Sequence, residues 1–289
     1  MRSKPFKVGI VVKPNQENAK ESLALLVDFL NSEKISFVVD PVGAKLLSKK
    51  TKGLNRDKLP KESNLIIVLG GDGTLLSIAR RIPPLKTPIM GINLGRVGFL
   101  TEIPVNDMIE TLKIYLSGEK LIQERMMLKA TLFRKGKEIA SYNCLNDAVI
   151  AKSALARIVQ LKVSALSGLF ADVFADGIIV STPTGSTAYN LAAGGPIIMP
   201  QMEAFVLTPL CPQTLSLRPT VVSGDEKIEI TIMSDSEEIF LTADGQRGIP
   251  LIPEDKVVIR KSQYSIRIVQ NPKRNYFSLL REKLGWAKK

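Results

Sequence analysis

Residues 65–74 read LIIVLGGDGT, and this stretch decides the fold that we predict for the 289-residue chain. Its first five residues are apolar and rich in β-branched side chains, which is typical of a parallel strand buried on both faces. Glycines follow at once, and a helical pattern begins after Gly73. A buried strand that leads through a glycine-rich turn into a helix is the start of a βαβ unit. The stretch therefore predicts an α/β domain with a parallel sheet.

The sequence before and after this stretch continues the alternation of strands and helices. Further strands are predicted at 7–12, 36–39 and 88–92. A helix is predicted between the first two, with apolar residues at helical spacing, and Asn18 with Glu21 predicts a capping box at its start. The lysine-rich segment 45–61 predicts an exposed loop or irregular helix. We therefore expect a Rossmann-like α/β nucleotide-binding domain over residues 1–103.

The pattern changes after a helix predicted at about residues 106–116. Short segments of strand composition follow at 124–133, 138–150, 178–181, 227–233, 238–242, 256–260 and 265–269. The chain ends in a helical segment that has Phe277, Leu280 and Leu284 on one side, and a lone amphipathic helix needs a surface to pack on. We therefore predict a β-rich domain over residues 104–270 and a tail, 271–289, that packs back on the first domain.

The composition excludes several classes of catalytic site. The chain has no histidine, so catalytic systems that depend on an imidazole are excluded. Its two cysteines are too few for a disulfide framework or a four-ligand zinc site. Any proton transfer must therefore use carboxylates or lysines, and we assign no protein ligand for a metal.

The net charge of +12 is concentrated towards the two ends of the chain. Basic ends attract nucleic acid, membranes or phosphorylated small molecules. No aromatic residues alternate with the early lysines, as a platform for single strands requires, so nucleotides rank above nucleic acid. No apolar run approaches the roughly 18 residues of a spanning helix, and the first apolar run is too short for a signal peptide. We expect a cytoplasmic protein with no membrane or nucleic-acid partner.

The GGDGT motif, residues 70–74, predicts a phosphate-binding turn. Gly70, Gly71 and Gly73 allow positive φ and close approach of a ligand, and the N–H groups of the next helical turn, with Thr74, can bind phosphate oxygens. A carboxylate repels phosphate, so Asp72 indicates metal binding or proton transfer during a reaction. The alternative interpretation is that Asp72 only binds backbone amides.

Residues 175–196, ADGIIVSTPTGSTAYNLAAGGP, form a second candidate site. Glycines and small hydroxyl residues let a ligand lie against the backbone, and the ring of Tyr189 can contact a base. Ser186 or Thr187 as an ordinary helix N-cap is the alternative for part of this segment. Three smaller motifs are NLGRVGFL at 93–100, Asn146-Asp147 and Asp244-Gly245-Gln246, and each by itself is compatible with a simple turn.

In this order and spacing, these motifs and LTPLCPQTLSLRP at 207–219 resemble the NAD kinases of the bacterial type. The resemblance extends from about residue 8 to the C-terminus. It implies an α/β first domain like that of phosphofructokinases and lipid kinases, and a β-rich domain that binds NAD. It also implies transfer of the γ-phosphate of ATP, with Mg²⁺ or another divalent ion, to the 2′-hydroxyl of the adenosine ribose of NAD, which gives NADP. A homodimer or homotetramer is expected on the same ground.

The resemblance also implies roles for individual residues. Asp72 is expected to be the general base that accepts the proton of the hydroxyl. The expected phosphate-binding residues are Gly70, Gly71, Gly73 and Thr74. The expected NAD-binding residues are Gly73, Phe99, Asn146, Asp147, Arg157, Asp176, Thr187, Ala188, Tyr189 and Gln246.

Two other functions are compatible with parts of the sequence. A lipid kinase shares GGDGT but does not need the block at 175–196, and no amphipathic helix is clearly suited to a membrane. A non-catalytic regulator that binds a dinucleotide and uses its basic ends on nucleic acid does not need Asp72. Both therefore explain fewer of the motifs than a kinase that acts on NAD.

Overall fold

The structure is a computed structural model that describes residues 5–119, 121–153, 157–235 and 238–286. The strands are β1 (Lys7–Val12), β2 (Ser36–Val39), β3 (Leu65–Leu69), β4 (Ile89–Asn93), β5 (Ile103–Pro104), β6 (Ile122–Arg134), β7 (Lys137–Cys144), β8 (Asp147–Lys152), β9 (Val159–Ala165), β10 (Gly168–Ala175), β11 (Gly177–Ser181), β12 (Ala204–Leu210), β13 (Thr220–Ser223), β14 (Ile228–Ile232), β15 (Ile239–Ala243), β16 (Arg247–Leu251) and β17 (Lys256–Val269). The α-helices are α1 (Ala19–Ser32), α2 (Pro41–Leu47), α3 (Leu59–Glu62), α4 (Asp72–Ala79), α5 (Met108–Leu116), α6 (Tyr189–Ala192) and α7 (Tyr276–Leu284). Short 3₁₀-helices lie at Val105–Asp107 and Gly185–Thr187. None of the helices described here is long and apolar enough to cross a membrane.

The chain forms two compact units. The first extends to Glu124 and resumes at Ile266, and the second is Arg125–Ser265. The boundaries predicted after residues 103 and 270 both fall inside the first unit. The physical reason is packing: α5 contributes Met108 and Leu112 to the first core, and the end of β17 pairs with β4.

The first unit is built on a parallel sheet, as predicted. Its strand order is β2–β1–β3–β4, and β5 and the end of β17 also pair in parallel with β4. All five residues of β3 are buried. In a sheet of this type, ligands bind beyond the carboxyl ends of the strands, where the strand order reverses. In the first unit the strand order reverses at β1, so a ligand site is expected beyond the carboxyl ends of β1 and its neighbouring strands.

One local prediction in the first unit is wrong. α1 forms as expected, but Asn18 adopts a positive φ of 62° and its side chain makes no capping hydrogen bond, so there is no capping box. The segment 45–61, predicted as an exposed loop or irregular helix, is helical in part, at the end of α2 and in α3. The carboxylate of Asp40 caps α2 through the N–H of Gly43 at 2.8 Å.

The second unit is rich in strands, as predicted. One antiparallel sheet has the order β13–β12–β11–β8–β15–β16. β9 pairs with β10 and β14, β14 pairs with the start of β17, and β6 forms a hairpin with β7. Apolar side chains from both groups of strands, with Phe205 among the largest, form one core.

Three strand predictions in the second unit need correction. The predicted strand 138–150 is two strands, β7 and β8, and the segments at 256–260 and 265–269 belong to the single strand β17. β12, which contains Pro209, was not predicted, and neither were β13 and β16.

The C-terminal helix α7 lies in the first unit. It begins with a capping box between Asn275 and Ser278. Its buried residues are Leu279 and Leu280, whereas Phe277 is 58% exposed, so the predicted apolar face is only partly correct.

Candidate active site

Asp72, the first residue of α4, holds the loop that follows β4. Its carboxylate accepts hydrogen bonds from the backbone N–H groups of Phe99 (2.9 Å), Leu100 (3.1 Å) and Thr101 (2.9 Å). The hydroxyl of Thr101 donates a fourth hydrogen bond at 2.8 Å. All four donors come from the loop, so Asp72 joins the GGDGT turn to the NLGRVGFL motif.

The two oxygens of Asp72 are used unequally. Leu100 and Thr101 supply three donors to Oδ1, whereas the described residues give Oδ2 one donor, the N–H of Phe99. Because a carboxylate oxygen has two lone pairs, Oδ2 keeps one acceptor direction. Asp72 therefore binds backbone amides, as the alternative interpretation required, and still retains an oxygen that can take a proton.

Glycines shape the backbone around Asp72 in two different ways. A side chain at Gly98 would clash with the carboxylate of Asp72 and the hydroxyl of Thr101, so packing requires glycine there. A side chain at Gly71 or Gly73 would meet no atom within 4 Å. Neither residue uses the positive φ that glycine allows. The protein's own packing and backbone do not require these two glycines, which fits a ligand that lies against the backbone.

A cavity of about 210 Å³ lies at the carboxyl edge of the parallel sheet. Its lining comes from the ends of three strands: Lys13 and Gln16 after β1, Gly70 and Gly71 after β3, and Asn93, Leu94, Gly95 and Arg96 at the end of β4. Pockets for a whole drug-sized ligand measure roughly 300–1,000 Å³, so this one suits phosphate groups. Two cations and the N-terminus of α4 favour an anion there.

Phe99 lies between this loop and the C-terminal helix. Its backbone binds Asp72, and its half-buried ring lies 6.5 Å from the ring of Tyr276, with an interplanar angle of 49°. This tilted arrangement is favourable for two aromatic rings. α7 therefore supports the loop that Asp72 holds.

In the second unit, Asp244 holds a loop in a similar way. Its carboxylate accepts hydrogen bonds from the N–H groups of Leu145 (3.0 Å), Asn146 (2.7 Å) and Asp147 (3.1 Å). Asp244 and Gly245 both have positive φ, 49° and 61°, and turn the chain between β15 and β16. The turn directs the carboxylate at Asn146-Asp147, which brings two of the predicted motifs together.

The carbonyl groups of the same loop bind the block at 175–196. The carbonyl of Asn146 accepts from the N–H of Thr182 at 2.8 Å, and that of Leu145 accepts from the hydroxyl of Thr182 at 2.6 Å. A side chain at Gly185 would clash with the carbonyl of Asn146. Three segments that are far apart in the sequence therefore form one contiguous site in the second unit.

Near Thr187 the surface is formed by small residues and by the ring of Tyr189. Thr187 ends a short 3₁₀-helix and its hydroxyl donates to the carbonyl of Thr184 at 3.3 Å. Ala188 is half-buried, and Tyr189 is 49% exposed. The alternative of an N-cap at Ser186 or Thr187 is wrong, because Ala188 precedes α6 and no side chain caps that helix.

The remaining predicted residues have different surroundings. Gln246 is exposed in the turn after Asp244 and Gly245. Asp176, between β10 and β11, forms an ion pair with Lys152 at 3.4 Å. Arg157 is exposed before β9, and within the described residues no hydrogen bond or ion pair joins it to the others.

Asp147 is an acidic residue in an unfavourable environment for charge. It is only 4% exposed, and it lies next to the buried Asp244. Burial raises the pKa of Asp147 to about 7, and repulsion from Asp244 adds to the rise. A carboxyl group of this kind binds a proton more tightly in the folded chain than in the unfolded chain.

The raised pKa of Asp147 predicts a specific pH dependence of stability. Between pH 4 and pH 7 the unfolded chain releases this proton while the folded chain keeps it, so the free energy of unfolding falls as the pH rises. The rise of the pKa to about 7 corresponds to a loss of at most roughly 4 kcal/mol in the free energy of unfolding. Asp147→Asn removes the group, so the variant should become more stable than the parent as the pH rises from 4 to 8, measured by urea unfolding. Asp28→Asn, which changes an exposed carboxylate, is the control, and parallel pH curves for Asp147→Asn and the parent contradict the assignment.

The described residues do not form a metal site of their own. Across the four described ranges, no group of three or more cysteine, aspartate or glutamate side chains comes together as metal ligands.

Several residues of these sites had no role predicted from the sequence, although Arg96 and Asp244 lie within two of its motifs. Lys13 and Arg96 line the phosphate-sized cavity, Thr101 binds Asp72, Asp244 holds Asn146-Asp147, and Lys152 pairs with Asp176. Lys13 is a single lysine after a strand, which is not a recognisable sequence motif. The one signal that it belongs to a ligand site was its position after β1, at the sheet edge where β3 and β4 also end.

Comparison with known proteins identifies the family. The ATP-NAD kinase N-terminal domain model matches residues 8–120, and the C-terminal domain model matches residues 145–271. The NAD kinase of Geotalea daltonii is 44% identical over 98% of this chain and 99% of its own length. Yeast NADH kinase, solved with NADH, has the same fold, with a TM-score of 0.89, 24% identity and coverage of 100% of this chain and 90% of its own. An NAD kinase from Archaeoglobus fulgidus, solved with ATP, has a TM-score of 0.77, 25% identity and coverage of 96% and 99%.

These matches extend over both units and include the segments that form both sites. They confirm the predicted architecture of an α/β part followed by a β-rich part. The chain is a phosphotransferase that belongs to the NAD kinase family.

Proposed function

We propose that the chain transfers the γ-phosphate of ATP to the 2′-hydroxyl of the adenosine ribose of NAD, giving NADP, with Asp72 as the general base. Family membership supports the reaction. The observation that carries the assignment of Asp72 is its asymmetric carboxylate, with Oδ1 held by three donors and Oδ2 left with a free acceptor direction.

The chemistry of the reaction suits this arrangement. A ribose hydroxyl is a weak nucleophile, and Oδ2 of Asp72 accepts its proton as the new oxygen–phosphorus bond forms. The bond between the γ-phosphorus and the bridging oxygen breaks, and ADP leaves. Phosphoryl transfer depends on positioning and charge neutralisation and needs no covalent intermediate on the protein. A chain without histidine can therefore carry it out.

For the donor, we assign the phosphates to the cavity of about 210 Å³. Gly70, Gly71, Gly73 and Thr74 offer backbone and hydroxyl groups, and Lys13 and Arg96 supply positive charge. A neighbouring cavity of about 320 Å³ shares Lys13 and Gln16 with it and is lined in part by Ala19, Val42 and Leu46. Its size and partly apolar lining suit the adenosine of ATP.

We assign the divalent ion to the donor substrate. Because the described residues hold no group of three acidic or thiol ligands, Mg²⁺ would enter as the complex with ATP and leave with ADP. Its contribution when bound is to neutralise phosphate charge.

For the acceptor, we assign the site of the second unit. Small residues and exposed backbone around Thr187 and Ala188 let the dinucleotide lie close, and the exposed ring of Tyr189 can stack on a base. The residues proposed to bind NAD are Gly73, Phe99, Asn146, Asp147, Arg157, Asp176, Thr187, Ala188, Tyr189 and Gln246. Self-association into a dimer or tetramer and a cytoplasmic location are also proposed, with support from the family resemblance alone.

The two assignments predict that each variant raises a different Michaelis constant. Lys13→Ala removes a charged contact to phosphate, which is worth about 1.5–3 kcal/mol, so KM for ATP should rise at least about tenfold while KM for NAD changes little. Tyr189→Ala removes a stacking surface worth about 1–3 kcal/mol, so KM for NAD should rise about tenfold while KM for ATP changes little. Initial-rate measurements with one substrate varied at a time give the two KM values for each variant.

Two matched variants complete this experiment. Lys50→Ala removes an exposed lysine of the first unit, and Phe240→Ala removes a partly exposed ring of the second unit, and both should keep the parental constants. Equal increases in both KM values for Lys13→Ala or Tyr189→Ala contradict the corresponding assignment.

A further inference from the structure

We propose that Thr101 and Asn93 are positioning residues that fix Oδ1 of Asp72 and so select Oδ2 as the oxygen that takes the proton. The inference rests on the proposed function, because it concerns the same carboxylate. Its basis is a chain of hydrogen bonds between buried side chains that the sequence analysis did not anticipate.

The chain of hydrogen bonds runs from the end of β4 to Asp72. The N–H of Gly95 donates to Oδ1 of Asn93 at 2.7 Å, and Nδ2 of Asn93 donates to Oγ1 of Thr101 at 3.1 Å. Oγ1 of Thr101 then donates to Oδ1 of Asp72 at 2.8 Å. Asn93 is 5% exposed and Thr101 is fully buried, so the hydrogen bond between their side chains is shielded from water.

The direction of each bond in this chain is fixed. The N–H of Gly95 can only donate, so the carbonyl oxygen of Asn93 must face it and the amide nitrogen must face Thr101. That nitrogen also can only donate, so it occupies a lone pair of Oγ1. The proton of the Thr101 hydroxyl is therefore directed to Asp72.

Thr101 binds the same oxygen of Asp72 twice, through its hydroxyl and its backbone N–H. Together with the N–H of Leu100, these donors exceed the two lone pairs of Oδ1, so this oxygen has no room for a substrate proton. These hydrogen bonds fix the orientation of the carboxylate, and Oδ2 is the oxygen that keeps a free acceptor direction. A reacting group that is misplaced by about 1 Å can cost a hundredfold in rate.

The same chain of hydrogen bonds reaches the proposed donor site. Asn93 and Gly95 both line the cavity that we assign to the phosphates. The backbone that would contact the donor is therefore connected, through two buried side chains, to the proposed base.

Thr101→Val tests the proposal, because it keeps the shape and the backbone N–H of Thr101 and removes the hydroxyl, which donates to Asp72 and accepts from Asn93. We expect kcat for NADP formation to fall about ten- to a hundredfold, with both KM values within about twofold of the parent. Thr101→Ser restores the donor and should recover kcat to within about threefold. A purely structural role predicts neither the separation of kcat from KM nor this recovery.

Thr87→Val is the matched control. Thr87 is also a buried threonine of the first unit, and its hydroxyl donates to the carbonyl of Pro60 at 3.1 Å. This variant should lose stability and keep kcat. If Thr101→Val does not fold, Thr101→Cys replaces it, since a thiol of similar size is a weak donor, and the same fall in kcat is expected.

The outcomes separate this proposal from the proposed function. Parental kcat in folded Thr101→Val or Thr101→Cys, with Asp72→Asn inactive, overturns the positioning role and leaves Asp72 as the base. Parental kcat in Asp72→Asn overturns the base itself. A fall in kcat in Thr101→Val that Thr101→Ser does not recover also overturns the positioning role.

Discussion

Replacement of Asp72 by asparagine is expected to lower kcat for NADP formation by about 10²- to 10⁴-fold, the usual contribution of a general base. The amide oxygen of asparagine can still accept from Leu100 and Thr101, so most of the contacts to the loop are kept. The amide nitrogen cannot accept a proton from a ribose hydroxyl. Steady-state rates with NAD and ATP measure the effect.

The variant also needs a stability measurement, because Asp72 has a structural role. The new amide nitrogen would face the N–H of Phe99, and the loss of that hydrogen bond costs about 1–3 kcal/mol. Urea unfolding and NAD binding should show a folded protein with an occupied acceptor site. A folded variant with the parental kcat rules out Asp72 as the base.

Gly98→Ala is expected to have the second-largest effect on activity. The added methyl group would overlap Oδ1 of Asp72 and crowd the hydroxyl of Thr101, so the carboxylate or the loop must move. A displacement of about 1 Å predicts a loss of roughly a hundredfold in kcat. Crowding of a packed site also costs about 1–3 kcal/mol of stability, which thermal unfolding detects.

Gly248→Ala is the matched control for Gly98→Ala. At Gly248 a new side chain would meet no atom closer than 3.8 Å, and the residue has no positive φ. This variant should keep both kcat and stability. If Gly98→Ala behaves like Gly248→Ala, the close packing of Gly98 on Asp72 has no functional role.

Patterns of neighbouring residues predicted much of the fold. The buried strand β3, the turn after it and the helix α4 are encoded by adjacent residues, so periodicity and glycine positions indicate them directly. β12 was not predicted because Pro209 interrupts a strand pattern, although the strand is fully buried. α7 was predicted, but its buried face was only partly correct, because the choice between Phe277 and Leu279 depends on the surface it packs on.

The hydrogen bonds of the two sites depend on contacts between distant residues. Asp72 binds a loop 27 to 29 residues away, and Asp244 binds one 97 to 99 residues away. Motif order predicted which residues matter, but no local pattern gives the partners of a side chain. The family resemblance added the expected roles, and the structure adds Lys13, Arg96, Asn93 and Thr101 to the residues that surround them.

The most direct test of the account is the formation of NADP by the purified chain. The chain is mixed with NAD, ATP and Mg²⁺, and the product is measured with an NADP-specific dehydrogenase, with Asp72→Asn in parallel. The account predicts that the parent chain forms NADP and that folded Asp72→Asn loses at least about a hundredfold in rate. A folded parent chain that binds NAD and forms no NADP contradicts the account.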